Sequence, residues 1–261
     1  MTNPVWNLLR WAKRIVKDSY RYTRFRCPDI RGVFDSLEAA RASTPRGGAI
    51  GYDNDALARQ YRANLDTSLH AYDYPVLFHL DRILRDFGGR CSVLDFGGNV
   101  GVHYLRFQKY LNLTNVKWIV CDVPAIVRIG RETCAGVSNV SFIDDLADIK
   151  GAHLDIVLAS GSIQYVESSD ALLRQFTGDT RPRHILVDQV SMYDGPRFAT
   201  LQNGGLVYYP EFIFNKTDFI DDFTKLGYKM ADFWDCDQTC TIPFHPERSI
   251  SSYGMCFFDP R

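Results

Sequence analysis

The segment Val93-Leu-Asp-Phe-Gly-Gly-Asn-Val-Gly-Val-His103 decides the fold of this 261-residue chain. An apolar run ends on a carboxylate, and three glycines then follow within five residues. Because glycine adopts positive φ without steric cost, this composition predicts a tight turn between a buried strand and a helix. In open α/β sheets such a turn is a frequent site for a nucleotide-like ligand. The spacing of the glycines indicates which ligand the turn binds.

The spacing excludes two common ligands of such loops. The dinucleotide fingerprint G-x-G-x-x-G would need glycine at Asn99 and Val102 in one register, or at Val100 in the next. The phosphate-binding pattern G-x-x-x-x-G-K-[ST] does not occur. The pattern that fits is Asp-x-Gly-x-x-x-Gly, made by Asp95, Gly97 and Gly101. Asn99 is expected at positive φ, because asparagine is one of the few other residues that tolerate it.

The segments after this motif predict an α/β fold with a doubly wound, Rossmann-like sheet. Short apolar strands alternate with helices, which indicates five parallel strands covered on both faces. Two final strands have no helix between them and must pair antiparallel. The predicted strands lie within 91–96, 116–121, 140–143, 154–160, 184–188, 228–235 and 252–258, and the helices near 102–112, 124–135, 145–150, 168–177 and 217–226.

We predict three parts: a basic amphipathic helix in 1–30, a helical lid or cap region in 31–89 and the main domain in 90–261. The middle part should be irregular before residue 52, apart from a short helix after Ser36. Further helices are expected from Asp53 or Asn54 to about Thr67 and over 74–87.

The N-terminal part carries most of the charge asymmetry of the chain. Residues 1–31 have a net charge of +6, whereas the whole chain has −1. Residues 4–17 predict a helix with basic residues on one face and apolar residues on the other, the latter being Val5, Leu8, Leu9, Trp11, Ala12, Ile15 and Val16. Two interpretations stay open: the helix docks on its own domain or a partner subunit, or it lies on an anionic membrane surface.

The glycine motif resembles the first motif of class I S-adenosylmethionine (SAM)-dependent methyltransferases, [DE]-x-G-x-G-x-G, with Asn99 in place of the middle glycine. The resemblance implies SAM as cofactor. It implies that Asp122, at the end of the second strand, accepts hydrogen bonds from the ribose, and that Asp144 or Asp145 meets the adenine, although one of them can be only a helix cap. The cofactor-binding residues implied are Asp95, Gly97, Gly98, Asn99, Gly101, Asp122, Asp144, Asp145, Ser160 and Gly161.

A longer resemblance extends over nearly the whole chain. Segments such as Ser160-Gly-Ser-Ile-Gln-Tyr165 and Gly227-Tyr-Lys-Met-Ala-Asp-Phe-Trp234 look like a family of bacterial methyltransferases. That family is often associated with surface-polysaccharide gene sets, and its substrates are poorly defined. The resemblance indicates the class of enzyme more than its acceptor, and we predict O-methylation of a glycan or another polar small molecule. A small-molecule N-methyltransferase, or a non-catalytic SAM- or nucleotide-binding subunit of a membrane-associated complex, is the alternative.

Methyl transfer to an alcohol needs a base in addition to alignment, and bases are expected at strand ends. Asp188 is the first candidate, although a hydrogen-bonded loop carboxylate is an equal alternative. His103 and Gln164 complete the catalytic candidates. Tyr165, Gln202, Asn203 and Tyr208 are the candidate acceptor-binding residues, the last three within a long insertion before the final helix.

The remaining sequence features narrow the function class. The acidic remainder of the chain does not suggest nucleic-acid binding, and no apolar run is long enough to span a membrane. Cys236, Cys240 and His245 lack the paired spacing of a zinc site, so no metal is expected. The seven scattered cysteines suggest reduced thiols and a cytoplasmic protein, with peripheral contact at the inner membrane face as an option. A homodimer is compatible with the sequence.

Overall fold

A computed structural model describes residues 4–149, 152–176 and 180–260, with side chains from Trp6 onward. The predicted features at residues 1–3, 150, 177 and 261 and the side chain of Val5 lie outside this description. The elements in chain order are α1 Pro4–Arg24, β1 Ile30–Phe34, α2 Leu37–Ala42, β2 Ala49–Ile50, α3 Asp55–Ala63, α4 Asp73–Asp86, β3 Ser92–Phe96, α5 Val102–Phe107, β4 Lys117–Cys121, α6 Pro124–Thr133, β5 Val140–Ile143, β6 Ile156–Ser160, α7 Ser169–Leu173, β7 His184–Val190, β8 Met192–Tyr193, β9 Phe198–Asn203, β10 Val207–Asn215, α8 Lys216–Lys225, β11 Tyr228–Cys236 and β12 Tyr253–Pro260.

A seven-stranded sheet forms the centre of the molecule, in the order β11-β12-β7-β6-β3-β4-β5. Strands β3 to β7 of this sheet pair in parallel, whereas β12 pairs antiparallel with both β7 and β11. This confirms the prediction of five parallel strands with an antiparallel C-terminal pair. The fully buried residues of these strands fill the two cores on the faces of the sheet, Val93 and Trp118 on one face and Leu94 and Phe258 on the other.

The strand order reverses direction at β3. From β3 the chain builds outward to β4 and β5, and it then returns to place β6 and β7 on the other side of β3. At such a switch point the loops after the two adjacent strands diverge and leave a crevice at the carboxyl edge of the sheet. The loop after β3 is the glycine segment, so the topology places this segment at the crevice.

A second sheet contains the part of the chain that the sequence analysis described incorrectly. The order is β1-β9-β10-β2, with β8 pairing to β10. The region before residue 52 therefore contains two strands as well as the helix after Ser36. The long insertion predicted before the final helix, which includes Gln202, Asn203 and Tyr208, is an antiparallel hairpin of β9 and β10. The strands β1 and β2 are short and find their partners more than 150 residues away, so local periodicity could not reveal them.

The helix α1 extends from the body of the molecule. Trp6, Leu8, Leu9, Trp11 and Val16 are each more than half exposed. Contact with the rest of the chain begins at the buried Asp18, whose Oδ2 accepts a hydrogen bond from the Phe244 backbone N–H at 3.0 Å. These five apolar side chains of the first part of the helix are therefore left largely uncovered by the described part of the chain. None of the described helices is long and apolar enough to cross a membrane.

Candidate functional site

The glycine turn adopts the conformation that its residue types predict. Gly97, Asn99 and Gly101 have φ values of 72°, 55° and 89°, so Asn99 takes the conformation expected of a glycine substitute. Its side-chain Oδ1 accepts a hydrogen bond from the Val100 backbone N–H at 2.8 Å, which stabilises the turn locally. A side chain at Gly97 would collide with Ser162, and this close approach explains why glycine is needed there.

Asp122, which follows β4, faces this turn. Its carboxylate accepts backbone hydrogen bonds from Asn99 at 2.9 Å and from Val123 at 2.8 Å. Burial raises the pKa of Asp122 to about 6, although these two bonds act in the opposite direction. Both oxygens keep further acceptor capacity, so this side chain can receive a hydroxyl donor from a ligand in the crevice.

Asp95 lies beneath the turn rather than in the crevice. It is fully buried and accepts hydrogen bonds from His103 Nδ1 at 2.9 Å and from Trp118 Nε1 at 3.1 Å. Burial alone would lower the pKa of His103, but the adjacent Asp95 carboxylate outweighs burial and raises it. A side chain at Gly98 would collide with Asp95, so Gly98 permits the loop to cover this buried pair.

Asp188, Ser160 and Gln189 form a hydrogen-bonded group on the other side of the switch point. Asp188 Oδ2 accepts from Ser160 Oγ at 3.0 Å and from Gln189 Nε2 at 3.4 Å. Asp188 Oδ1 is buried and has no hydrogen-bond partner within the described part of the chain. Burial raises the pKa of Asp188 to about 7. A carboxyl group of this kind can take up a proton near neutral pH.

A cavity of about 730 Å³ connects these groups, a size within the range of small-molecule sites. It lies at the carboxyl ends of β3, β4, β5 and β6. Nine of the candidate residues from the sequence line it: Gly97, Asn99, His103, Asp122, Asp144, Asp145, Ser160, Gly161 and Tyr165. The structure therefore brings together residues that are up to 68 positions apart in the chain.

Asp144 and Asp145 both reach the cavity, but they make different contacts. Asp145 Oδ1 accepts a hydrogen bond from the Ala147 backbone N–H at 2.8 Å, at the start of a short 3-10 helix. This is the capping role that the sequence left open for one of the two acids. Asp144 is exposed at the cavity wall and is the better placed of the two to meet a ligand.

The other candidates do not line the cavity. Asp95, Gly98 and Asp188 lie directly behind residues that do. Gly101 packs against Cys134 and Phe142. Gln164 is buried in the turn after β6, and its Oε1 has no hydrogen-bond partner among the described residues.

Three candidate acceptor-binding residues belong to the β9–β10 hairpin. Gln202 Oε1 faces the Tyr165 hydroxyl at 3.5 Å and so stands behind the cavity wall. Asn203 donates from Nδ2 to the Phe25 carbonyl oxygen at 2.6 Å, and its Oδ1 accepts from the Gly205 backbone N–H at 2.8 Å. Tyr208 stacks on Phe25 with ring centroids 5.6 Å apart. Asn203 and Tyr208 thus hold the N-terminal segment against the hairpin.

The sequence analysis did not assign a site role to several residues of the cavity wall. Arg106 lines the cavity, and its Nη1 donates to both oxygens of the buried Asp73 at 2.9 and 3.0 Å. The spacing of three residues from His103 places both side chains on one face of α5 and was the signal available. Gln189 lines the cavity with a φ of 54°, which sequence patterns do not reveal.

A group of tyrosines forms the wall nearest the second sheet. Tyr52 stacks on Tyr209 with centroids 4.1 Å apart and an interplanar angle of 13°, and it meets the edge of Tyr165 at 4.9 Å. The Tyr61 and Tyr209 hydroxyls are 3.4 Å apart. Tyr52, Tyr61 and Tyr165 line the cavity. These rings come from four separate elements, so only the tertiary structure assembles them.

The segment that carries Tyr52 and Tyr61 is attached to α6 beside Asp122. Asp53 Oδ1 accepts from the Ala125 backbone N–H at 2.9 Å, at the start of α6. Arg62 pairs with Glu132 at 2.7 Å, and Arg128 pairs with Asp55. The loop before α3 and α3 itself therefore lie against α6 at this side of the cavity. No group of three or more His, Cys, Asp or Glu side chains in the described residues could hold a metal ion.

The fold and the cavity define a Rossmann-like α/β protein with a crevice at its switch point. A protein from Pyrococcus horikoshii is similar in structure, with a TM-score of 0.50 and 13% identity over 78% of this chain and 99% of the other, and it supports this fold. No protein-family model matches the chain, and no curated protein matches it.

Two further solved structures share parts of the fold at lower similarity. One is the Burkholderia thailandensis 1,6-didemethyltoxoflavin-N1-methyltransferase with its acceptor and S-adenosylhomocysteine, with a TM-score of 0.48 and 16% identity over 79% of this chain and 83% of the other. The second is an O-methyltransferase from neocarzinostatin biosynthesis with S-adenosylhomocysteine and 1,4-dihydroxy-2-naphthoic acid. Its TM-score is 0.45 and its identity 14%, over 80% of this chain and 59% of that one.

Proposed function

We propose that this protein is a SAM-dependent methyltransferase. The observation that carries the proposal is the glycine turn at the switch point, with Asn99 at positive φ and the Asp122 carboxylate facing it across the crevice. The failed dinucleotide and phosphate patterns leave SAM as the ligand whose motif this turn resembles. The cavity is large enough for a nucleoside with an adjoining acceptor.

The lining residues suggest how SAM is held. Asp122 accepts hydrogen bonds from the ribose hydroxyls, and Asp144 receives the adenine amino group. The positive φ of Gly97 and Asn99 makes the backbone turn sharply at this point. We expect this turn to let the backbone come close to the ligand. Ser160 and Gly161 border the methionine part, and Asp95, Gly98 and Gly101 support the turn from behind.

When bound, SAM supplies an electrophilic methyl group on a sulfonium. The protein aligns an acceptor oxygen with this methyl group, excludes water and takes up the hydroxyl proton. We assign Asp188 as the base that acts through Ser160: Ser160 lines the cavity and its hydroxyl donates to Asp188 Oδ2, so this hydroxyl takes the acceptor proton as it passes its own to the carboxylate. His103, oriented by Asp95, is the second candidate base and faces the cavity. Gln164 supports the adjacent Tyr165.

The acceptor is proposed to be a glycan or another polar small molecule. Tyr165 presents its ring to the cavity, and Gln202 binds behind it, so an acceptor with both apolar faces and hydroxyl groups suits this wall. N-methylation of a small molecule is the alternative reaction, and it needs no base. A non-catalytic SAM- or nucleotide-binding subunit is the alternative outside enzyme function.

We assign a separate role to each of the three predicted parts of the chain. Residues 90–261 bind SAM, residues 31–89 contribute the lid through α3, and residues 1–30 provide a basic surface. We propose that the exposed face of α1 lies on the inner, anionic side of a cytoplasmic membrane, where Trp6 and Trp11 suit the interface. A second copy of the chain is the alternative occupant.

Isothermal calorimetry with SAM and with NAD tests the cofactor assignment. We expect saturable SAM binding and none for NAD; NAD binding without SAM binding would overturn the proposal. Transfer of label from methyl-labelled SAM to a metabolite or glycan extract then separates the enzyme from a binding subunit. Acid- and base-stability of the labelled product distinguishes carboxylate esters from ethers and N-methyl groups.

A further inference from the structure

A chain of hydrogen bonds connects Asp188 to the C-terminal part of the molecule. Gln238, in the segment after β11, donates from Nε2 to Gln189 Oε1 at 2.6 Å. The Gln238 carbonyl oxygen accepts from the Tyr253 backbone N–H at 3.0 Å, which fixes the main chain at this point. Gln189 Nε2 then faces Ser160 Oγ at 3.1 Å and Asp188 Oδ2 at 3.4 Å. The contact to Asp188 thus depends on a residue 50 positions away.

Gln189 is held in an unfavourable backbone conformation. Its φ of 54° lies in the left-handed region, which is unfavourable for a residue that carries a side chain. The residue follows Asp188 in β7 and lines the cavity. A conformation of this cost persists only where surrounding contacts hold it, and the bonds to Gln238 and Ser160 are such contacts.

The direction of the Gln189 amide decides what Asp188 meets. Because the Gln238 amide group donates to Gln189 Oε1, the NH₂ group of Gln189 must point toward Ser160 and Asp188. The reversed amide would bring an oxygen against the Asp188 carboxylate and an NH₂ group against the Gln238 donor. The contact with the carboxylate would be repulsive, so Asp188 sets the direction of the Gln189 amide, and the bond from Gln238 holds the Gln189 side chain in that position.

We propose that Gln238 is a positioning residue: by holding the Gln189 side chain in place, it keeps Asp188 Oδ2 hydrogen-bonded and the carboxylate aligned with Ser160, which lines the cavity and through which the acceptor proton arrives. This inference rests on the proposed function only for the use of the proton. The hydrogen-bond chain itself can be tested without an acceptor.

Other groups around Asp188 have to be included in the test. His103 of α5, when protonated, lowers the pKa of Asp188. Tyr72, which precedes α4, and Cys236, at the end of β11, also face it electrostatically. Burial is the dominant influence and raises the pKa, whereas the bonds from Ser160 and Gln189 lower it.

The experiment follows the carboxyl ¹³C resonance of Asp188 with pH, assigned by its loss in Asp188→Asn. Gln238→Met has a similar length and no charge, and it should raise the pKa of Asp188 by about 1, because the Gln189 donor is no longer held toward the carboxylate. In a Gln189→Met background, Gln238→Met should have no further effect. Gln238→Ala provides the same comparison if the methionine variant does not fold.

The proposal is overturned if Gln238→Met leaves the titration of Asp188 unchanged, or if it shifts the titration equally with and without Gln189. SAM binding is measured on the same samples by calorimetry. Wild-type protein that fails to bind SAM would refute the proposed function, while the titration would still decide whether Gln238 positions Asp188.

Discussion

Asp122 is the residue on which the cofactor assignment can be tested most directly. Its carboxylate braces the glycine turn through Asn99 and remains available to a ribose. We expect Asp122→Ala to weaken SAM binding by about 1–3 kcal/mol, because hydroxyl donors of the ligand would lose their charged acceptor. Calorimetry at pH 8 measures the loss, and unchanged affinity would remove the proposed role.

The pH dependence of SAM binding provides a second test of Asp122. The raised pKa of about 6 means that the carboxylate becomes protonated as the pH falls from 7.5 to 5. SAM affinity should therefore decrease across this interval in the wild type. Asp122→Asn, which cannot titrate at this position, should show a weaker affinity that varies less with pH.

Asp188→Asn tests proton removal. The asparagine keeps the size and the contacts to Ser160 but cannot accept the acceptor proton, so we expect methyl transfer to an alcohol to fall by about 10²–10⁴-fold. SAM affinity should change by less than about twofold, because Asp188 does not line the cavity. In the wild type the rate should rise with pH through about 7, as Asp188 ionises.

The control for Asp188 is Asp170→Asn, which alters an exposed pair with Arg174. This variant should retain full activity. If Asp188→Asn also retains it, either the acceptor needs no base, as an amine would, or His103 is the base. His103→Asn then distinguishes these two outcomes.

Among the elements, α1 differs from the others because several of its large apolar side chains are exposed. Its apolar side chains have no cover from the described residues over most of the helix, and its basic side chains lie on the other face. A helix of this kind binds anionic lipid through both the apolar area and the charges. If α1 instead docks on a partner subunit, the two proteins should associate through the apolar face of α1, and this association should not depend on salt.

Charge reversal tests this helix. Arg10, Lys13 and Arg14 changed together to Glu should reduce cosedimentation with vesicles of phosphatidylglycerol and phosphatidylcholine by about tenfold or more, since each lost basic residue removes about 1 kcal/mol of attraction. The same change at Arg90, Lys225 and Lys229, exposed residues on the main domain, should have little effect. Absence of wild-type binding, together with a dimer by light scattering, would favour a second copy as the occupant.

Whole-molecule stability should respond to Glu211 of β10. This side chain is fully enclosed, and its Oε1 has no partner in the described ranges. Burial raises its pKa to about 8, so the folded state binds the proton more tightly than the unfolded state. The stability that this group contributes is present below about pH 4 and is lost as the pH rises through 8.

Glu211→Gln should therefore stabilise the protein more at pH 9 than at pH 6. The difference between the two pH values should be about 2–3 kcal/mol in the free energy of unfolding, measured by urea denaturation. Glu167→Gln, at an exposed carboxylate, should change little at either pH. An equal effect of Glu211→Gln at both pH values would mean that its carboxyl is not protonated in the folded state.

The sequence by itself determined the seven-stranded sheet and the position of the glycine turn. Apolar strands that alternate with helices leave few arrangements, and a motif that follows the first strand must lie at the carboxyl edge. The conformation of Asn99 was also predictable, because only a few residue types tolerate its φ.

Only the tertiary structure decided the second sheet, the tyrosine wall and the surroundings of Asp188. Strands β1 and β2 exist because β9 and β10 offer them hydrogen bonds across long loops, and no local pattern records such a pairing. Asn203 and Tyr208, which by sequence are acceptor candidates, lie outside the cavity lining and contact Phe25 of the N-terminal segment. The physical reason is that a side chain's role is set by which groups reach it in space, whereas periodicity reports only which face of its own element it occupies.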